Sequence, residues 1–192
     1  MKKPLLFILA LMMVFGAQAQ ESAKRYGIKS GILHLMASTG GHETEETQYF
    51  DDYGAMEALV FTIDVPGLVK YDTYTVTKGE KAWMFTDTEG KKSKAKAFDN
   101  PTPDLNFLNL TPEAAEKYKV KELGHEDVLG YDCTKYTYEI MQGRKTCYWT
   151  AWVYKGVILK SITKIGRQES TIEATRFEKN VTVPAKVFEI PK

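Results

Sequence analysis

Three histidines, two cysteines and a scatter of neighbouring carboxylates are the residues with chemistry to offer in this 192-residue chain. A nucleophilic hydrolase needs a base held against a serine, threonine or cysteine. His34 lies between Leu33 and Leu35 in a strand-like stretch, and His42 and His125 sit in turn-like ones. None stands beside a serine-centred elbow, and the G-x-S-x-G pattern does not occur. His42–Glu43 and His125–Glu126–Asp127 lack the spacing of an HExxH pair or an EF-hand loop. Asp51 and Asp52 would project to opposite faces of a strand and so make no acid–base pair. These residues predict no enzyme, no metal and no cofactor.

The remaining charges are read in the same way. Lys91, Lys92, Lys94 and Lys96 describe an edge that blocks unwanted strand addition, with a patch for anionic head groups as the other reading. No aromatics interleave with them to stack bases. The net charge of +1 supplies no field for nucleic acid.

Met1–Lys2–Lys3, the apolar run Pro4 to Gly16 and the small residues of Ala17–Gln18–Ala19 have the three-part pattern of a secretory signal, with cleavage expected after Ala19. The apolar run is shorter than the ~20 residues a membrane-spanning helix needs. The expected organisation is a signal peptide at 1–19 and one domain at 20–192, periplasmic, with secretion as the alternative. Two cysteines in an exported chain invite a Cys133–Cys147 disulfide. A tight turn at Gln142–Gly143 would instead set Cys133 opposite Trp152 and Cys147 opposite Tyr138, too distant for a bridge. Two buried free thiols are the other reading.

The elements that must position these residues are strands. Tyr26–Ser38, Glu43–Asp52, Met56–Val65, Leu68–Thr77, Lys81–Thr86 and Lys91–Phe98 form a first series, broken by Gly- and Pro-containing turns. Beyond a helical segment, Lys119–Leu123 is a strand, Tyr131–Ile140, Thr146–Tyr154 and Val157–Thr163 form an antiparallel meander rich in Thr, Tyr and Trp, and Gln168–Phe177 is a final strand. Gly31 is the expected site of a bulge, and Gly124–Asp127 of a turn. Thr111–Pro112 reads as a capped helix start within Leu105–Tyr118. Val181–Pro191 reads as an extended tail. The fold class is mainly β (α+β): a curved antiparallel sheet, or incomplete β-barrel, with a short helical insertion over its concave face.

Aromatic and aliphatic side chains then become the candidate site. Leu59, Phe61 and Ile63, with Trp83, Phe85, Trp149 and Val153, are the expected lining of a cavity, although alternation permits this phase without fixing it. Bulk on both faces of Tyr148–Trp149 and Trp152–Tyr154 fits a sheet with a packed helix on one side and an apolar ligand or partner on the other.

Several phrases carry a resemblance: Tyr49–Phe50–Asp51–Asp52–Tyr53–Gly54, the run from Gly124 to Tyr136, Trp152 to Lys160, and Val187–Phe188–Glu189–Ile190–Pro191. Together they resemble the lipoprotein carrier-like family, the LolA/LolB fold and its outer-membrane lipoprotein-sorting-like relatives. The resemblance implies a half-open barrel whose hydrophobic cavity holds a lipid or another apolar ligand, such as a lipoprotein acyl chain. It also implies a place in envelope biogenesis, with peripheral membrane contact. No functional residue is carried over from it. The alternative is a structural or interaction protein of the envelope whose core is filled by its own side chains.

Overall fold

The protein is described by a computed structural model over residues 24–192. The expected signal peptide and its cleavage point lie outside the described residues. Twelve strands form one antiparallel sheet. The first series is β1 (Gly31–Thr39), β2 (His42–Asp51), β3 (Met56–Val65), β4 (Val69–Lys78), β5 (Lys81–Thr88), β6 (Lys91–Lys92) and β7 (Lys96–Asp99). The second is β8 (Lys121–Val128), β9 (Tyr131–Gln142), β10 (Lys145–Tyr154), β11 (Val157–Ile165) and β12 (Gln168–Lys179). Each series is a meander, and the two are joined where β1 pairs with β12, giving the order β6-β5-β4-β3-β2-β1-β12-β11-β10-β9-β8, with β7 also on β5. The outer strands do not pair with each other, so the barrel stays open.

Curvature has a local cause. The register slips between His34 and Leu35 against β12, between Trp152 and Val153 against β11, and between Glu122 and Gly124 against β9. An extra residue in one strand bends it and increases its twist. All three irregularities involve β8–β12 or their seam with β1. Gly31, the expected bulge, instead opens β1 beneath Phe50.

Strand alternation then sorts the faces. Leu33, Leu35, Phe50, Gln48, Glu46, Glu57, Leu59 and Phe61 share the concave side through direct cross-strand pairing of β1, β2 and β3. In the second series Tyr136, Tyr138, Ala151, Trp149, Ser161 and Ile172 continue it. The segment from Asn100 to Val120 crosses this concavity from one sheet edge to the other, burying Leu105, Ala114 and Tyr118 against Tyr138, Ile140, Ala151 and Val153. Its one helix, α1 (Pro112–Lys117), starts as the cap predicts: Ala114 N donates to Thr111 Oγ1 at 3.2 Å, with proline at the first turn.

The convex side of β1–β5 is covered by the C-terminal tail. Val183, Val187 and Phe188 bury against Ala58, Val76 and Phe85. The tail contains a 3₁₀ turn, Ala185–Phe188, rather than being extended throughout.

Other boundaries also shift. Gly124–Asp127 lies within β8, the turn falling at Leu129–Gly130. Lys91–Phe98 divides into β6 and β7, both paired with β5. The β9–β10 turn is Gly143–Arg144, so Cys147 faces Ile140. Cys133 is seven positions back along β9, an odd number, so the two sulfurs point to opposite faces. At ~3.3 Å per residue they are separated by roughly 20 Å along the strands, against the ~7 Å limit for bridged Cα atoms. Cys133 and Cys147 are accordingly buried free thiols, and the Cys133–Cys147 bridge does not form. Burial pushes the Cys133 thiol up to about 11, which keeps it protonated and unreactive at neutral pH.

Candidate functional site

The concave face holds a cleft of about 260 Å³ between the sheet and the crossing segment. Leu35, Leu59 and Ile172 form one apolar wall, from β1, β3 and β12. Leu105 and Phe107 of the crossing segment, with Ile158 and Leu159 of β11, form the other. Phe107 is fixed by stacking on Tyr136 (5.0 Å between centroids) and by an edge contact with Tyr138 (5.5 Å).

One end of the cleft is polar. Tyr26 Oη donates to Glu57 Oε2 at 2.6 Å, and Gln48 Nε2 donates to the same oxygen at 3.1 Å. Arg25 Nε lies 3.6 Å from Glu57 Oε1. Burial pushes the Tyr26 phenol well above its ordinary range, and the adjacent Glu57 carboxylate adds to the rise. The knot closes the cleft floor by tying the 25–28 segment to β3. Backbone bonds hold the same segment to the connections on either side: Arg25 N and Tyr26 N both donate to Tyr53 O, between β2 and β3, at 3.0 Å, and Gly27 N donates to Lys155 O, in the β10–β11 turn, at 2.8 Å.

Glu46, next to this knot on β2, is different. Its Oε2 is buried with no hydrogen-bond partner, and desolvation raises its carboxyl above the usual carboxylate range. A folded-state rise means that deprotonation works against folding at pH values above the ordinary carboxylate range, and the penalty vanishes below it. Glu46→Gln is therefore expected to raise thermal stability at pH 7 and to leave it unchanged near pH 3, as read by paired melts at the two pH values. Equal shifts at both would show that the carboxyl is solvated in the folded protein.

The expected lining is brought together only in part. Leu59 lines the cleft. Phe61 and Ile63 share its face and continue along β3 toward the β3–β4 hairpin. Val153 is on the concave face but buried beneath the crossing segment. Trp149 is stacked on Tyr138 (5.7 Å) and lines a separate recess beside it with Lys119 and Lys121. Trp83 and Phe85 do not line the cleft: Trp83 pairs with Val76 and Phe85 with Tyr74, which places both on the convex side, where the tail buries Phe85. A one-residue change of phase suffices for this reversal.

None of Arg25, Tyr26, Glu46, Gln48 and Glu57 belongs to the expected lining: the last four fall within expected strands and Arg25 just ahead of the first. The available signal is the alternation Glu46–Gln48–Phe50, which sets two polar residues on the side of a core phenylalanine.

Two of the three histidines are engaged in side-chain pairs, His34 Nε2 with Glu178 (3.1 Å) and His125 Nδ1 with Asp132 (3.0 Å). Among the described residues no three His, Cys, Asp or Glu side chains cluster as metal ligands would.

The fold and cleft define a class: an open, coiled antiparallel sheet with an internal apolar recess. The chain belongs to the family described as domain of unknown function DUF4412, which matches residues 31–180. No curated protein matches it in sequence. Solved structures with a similar outline include a chain of the Pseudomonas aeruginosa MucA/MucB complex, at 10% identity and a TM-score of 0.44, covering 84% of this chain and 56% of that one. This chain thus spans little more than half of that relative. LprF from Mycobacterium bovis is similar at 12% identity and a TM-score of 0.42, covering 85% of this chain and 91% of its own. An outer membrane lipoprotein-sorting protein domain from Vibrio parahaemolyticus is similar at 10% identity and a TM-score of 0.42, covering 88% and 92%. At this level the overlap is one of outline, and it assigns no ligand or partner.

Proposed function

We propose that this protein is a non-catalytic periplasmic module that binds a lipid or another apolar ligand in the concave cleft, in the service of envelope biogenesis. The observation that carries the reading is the cleft itself: a recess with aliphatic and aromatic walls, left open although the crossing segment lies directly above it. Its volume sits near the lower end of ligand sites, about 300–1,000 Å³. It therefore holds one alkyl chain or part of one rather than a whole lipid. The polar end favours an uncharged or hydrogen-bond-donating head: Glu57 is already matched by Arg25, Tyr26 and Gln48, and Glu46 resists ionisation.

The lipoprotein acyl chain implied by the sequence resemblance is one such ligand. The signal pattern at 1–19 and the lipoprotein-sorting description of the Vibrio relative agree with a periplasmic location. The competing reading is an envelope protein whose interior needs no ligand, and it draws on the same crossing segment, which already fills much of the concavity.

The two are separated by titrating the protein with an environment-sensitive alkyl probe. Saturable binding, weakened at least tenfold by Leu59→Arg with no loss of the folded state, supports a ligand cleft. Leu59 is only half-buried, so the arginine has room to extend. No saturable binding, or binding indifferent to Leu59→Arg, supports the self-filled interior.

A further inference from the structure

Glu46 stands where a carboxyl has nothing inside the protein to meet. Its neighbours directly across on β1 and β3 are Leu35 and Phe61. The next polar side chain on its face of β2 is Gln48, whose Nε2 is committed to Glu57. One Glu46 oxygen is buried without a hydrogen-bond partner, and the residue lines the cleft. A carboxyl left unsatisfied in this way costs stability, which is the cost that Glu46→Gln is expected to remove. Its bonding capacity is spare, and it faces the space that a ligand would enter.

The other ionisable groups around the cleft are already matched. Arg25 and Tyr26 are engaged with Glu57. Lys160 Nζ lies 2.8 Å from Glu173 Oε2 and 5.4 Å from the centre of the Trp152 ring, and these two residues are its cross-strand neighbours. Burial pushes the Tyr138 phenol up, which keeps it neutral. Among the described residues that line the cleft, Glu46 is therefore the charge-bearing side chain with no partner. What the cleft lacks is a positive charge with N–H donors. A fatty acid would set a second carboxylate against Glu46 and find no unpaired cation. An alkyl ammonium supplies both the charge and up to three donors.

We propose that the cleft selects an amphiphile bearing a primary amine: its alkyl chain lies between Leu35, Leu59 and Ile172 on one side and Leu105 and Phe107 on the other, and its ammonium donates to the Glu46 carboxylate. The inference rests on the cleft being a ligand site and adds the head group that this site recognises. A hydrogen bond between two charged groups is roughly twice as strong as one between neutral groups. The apolar surroundings that disfavour a lone carboxylate at Glu46 strengthen the pair once the ammonium is present.

The test is displacement of the alkyl probe by decylamine, decanol and decanoate, each below its micelle-forming concentration at neutral pH. Wild type is compared with Glu46→Gln and, as a control, Glu45→Gln. Glu45 is exposed and pairs with Met36, on the opposite face of β2. Decylamine is expected to displace the probe from wild type at a concentration about tenfold or more below that of decanol, the effect of one hydrogen bond between charged groups. Decanoate is expected to be the weakest of the three. Glu46→Gln should abolish the advantage of the amine over the alcohol and keep probe binding, and Glu45→Gln should keep both. Because Glu46→Gln is expected to be the more stable protein, unfolding does not account for its loss of preference. An amine preference that survives Glu46→Gln overturns the proposal, as does tighter binding of decanoate than of decylamine. A probe that binds saturably but is displaced equally by amine and alcohol rejects the amine and leaves the cleft as a site for alkyl chains. A probe that does not bind saturably rejects both.

Discussion

Gly156→Ala is expected to lower stability by roughly 2–5 kcal/mol, a drop in melting temperature on the order of 10 °C. Two effects add. Gly156 has φ of +84°, in the β10–β11 turn, where an L side chain costs about 1–2 kcal/mol. A Cβ there would also sit 2.3 Å from the carbonyl oxygen of Arg25, a backbone atom that cannot swing aside. The 25–28 segment would have to lift from Lys155 and carry Arg25 and Tyr26 away from the cleft floor. Alkyl-probe affinity should therefore fall together with stability. Gly130→Ala separates the two effects. Its φ is +75°, but nothing lies within 4 Å of the added atom, so it should show the conformational cost alone and leave the cleft intact. Equal losses at the two positions would mean that the close approach of Arg25 to the turn does not hold in solution.

The second large effect is at the seam between the two meanders. Phe50 is fully buried, packs edge-on against Tyr26 at 4.8 Å and lies near Phe177. Phe50→Ala is expected to cost about 3–5 kcal/mol, the transfer of the ring plus the cavity it leaves. The ring fits there because residue 31 has no side chain: a Cβ on Gly31 would lie 2.6 Å from two atoms of the Phe50 ring. Gly31→Ala should thus be strongly destabilising alone and much less so in a Phe50→Leu background. A double-mutant cycle in chemical denaturation reads the coupling, expected at 1 kcal/mol or more for groups in contact. Additive losses would show that Gly31 and Phe50 do not share the space.

These two sites also mark the limit of what local sequence conveys. The meander of β9–β12 is written in alternation and turn residues, and the start of α1 in Thr111–Pro112. The β1–β12 pairing, which joins residues 131 to 148 positions apart, has no local signature, and neither has the approach of Gly156 to Arg25. Gly124–Asp127 has turn composition yet lies in β8, because pairing with β9 outweighs the weak preference of charged residues against strands. Phe85 is a core residue, as its bulk suggests, but of the core beneath the C-terminal tail, and half-buried Trp83 shares its convex face; the face they serve depends on register against β4 rather than on their identity.

The cleft was legible in its apolar half, through Leu59, and not in its polar half. Tyr26, Glu57 and Arg25 are separated by up to 32 positions and meet only because the 25–28 segment folds back against β3.

Whether an alkyl chain occupies this recess is read most directly by photolabelling with a diazirine-bearing alkyl probe, followed by peptide mapping. Labels concentrated on residues 46–59, 105–107 and 158–172, and abolished by excess unlabelled alkyl ligand, are the expected result. Labels confined to the convex face or the hairpin tip, or labels that excess ligand does not compete away, would contradict a binding cleft on the concave side.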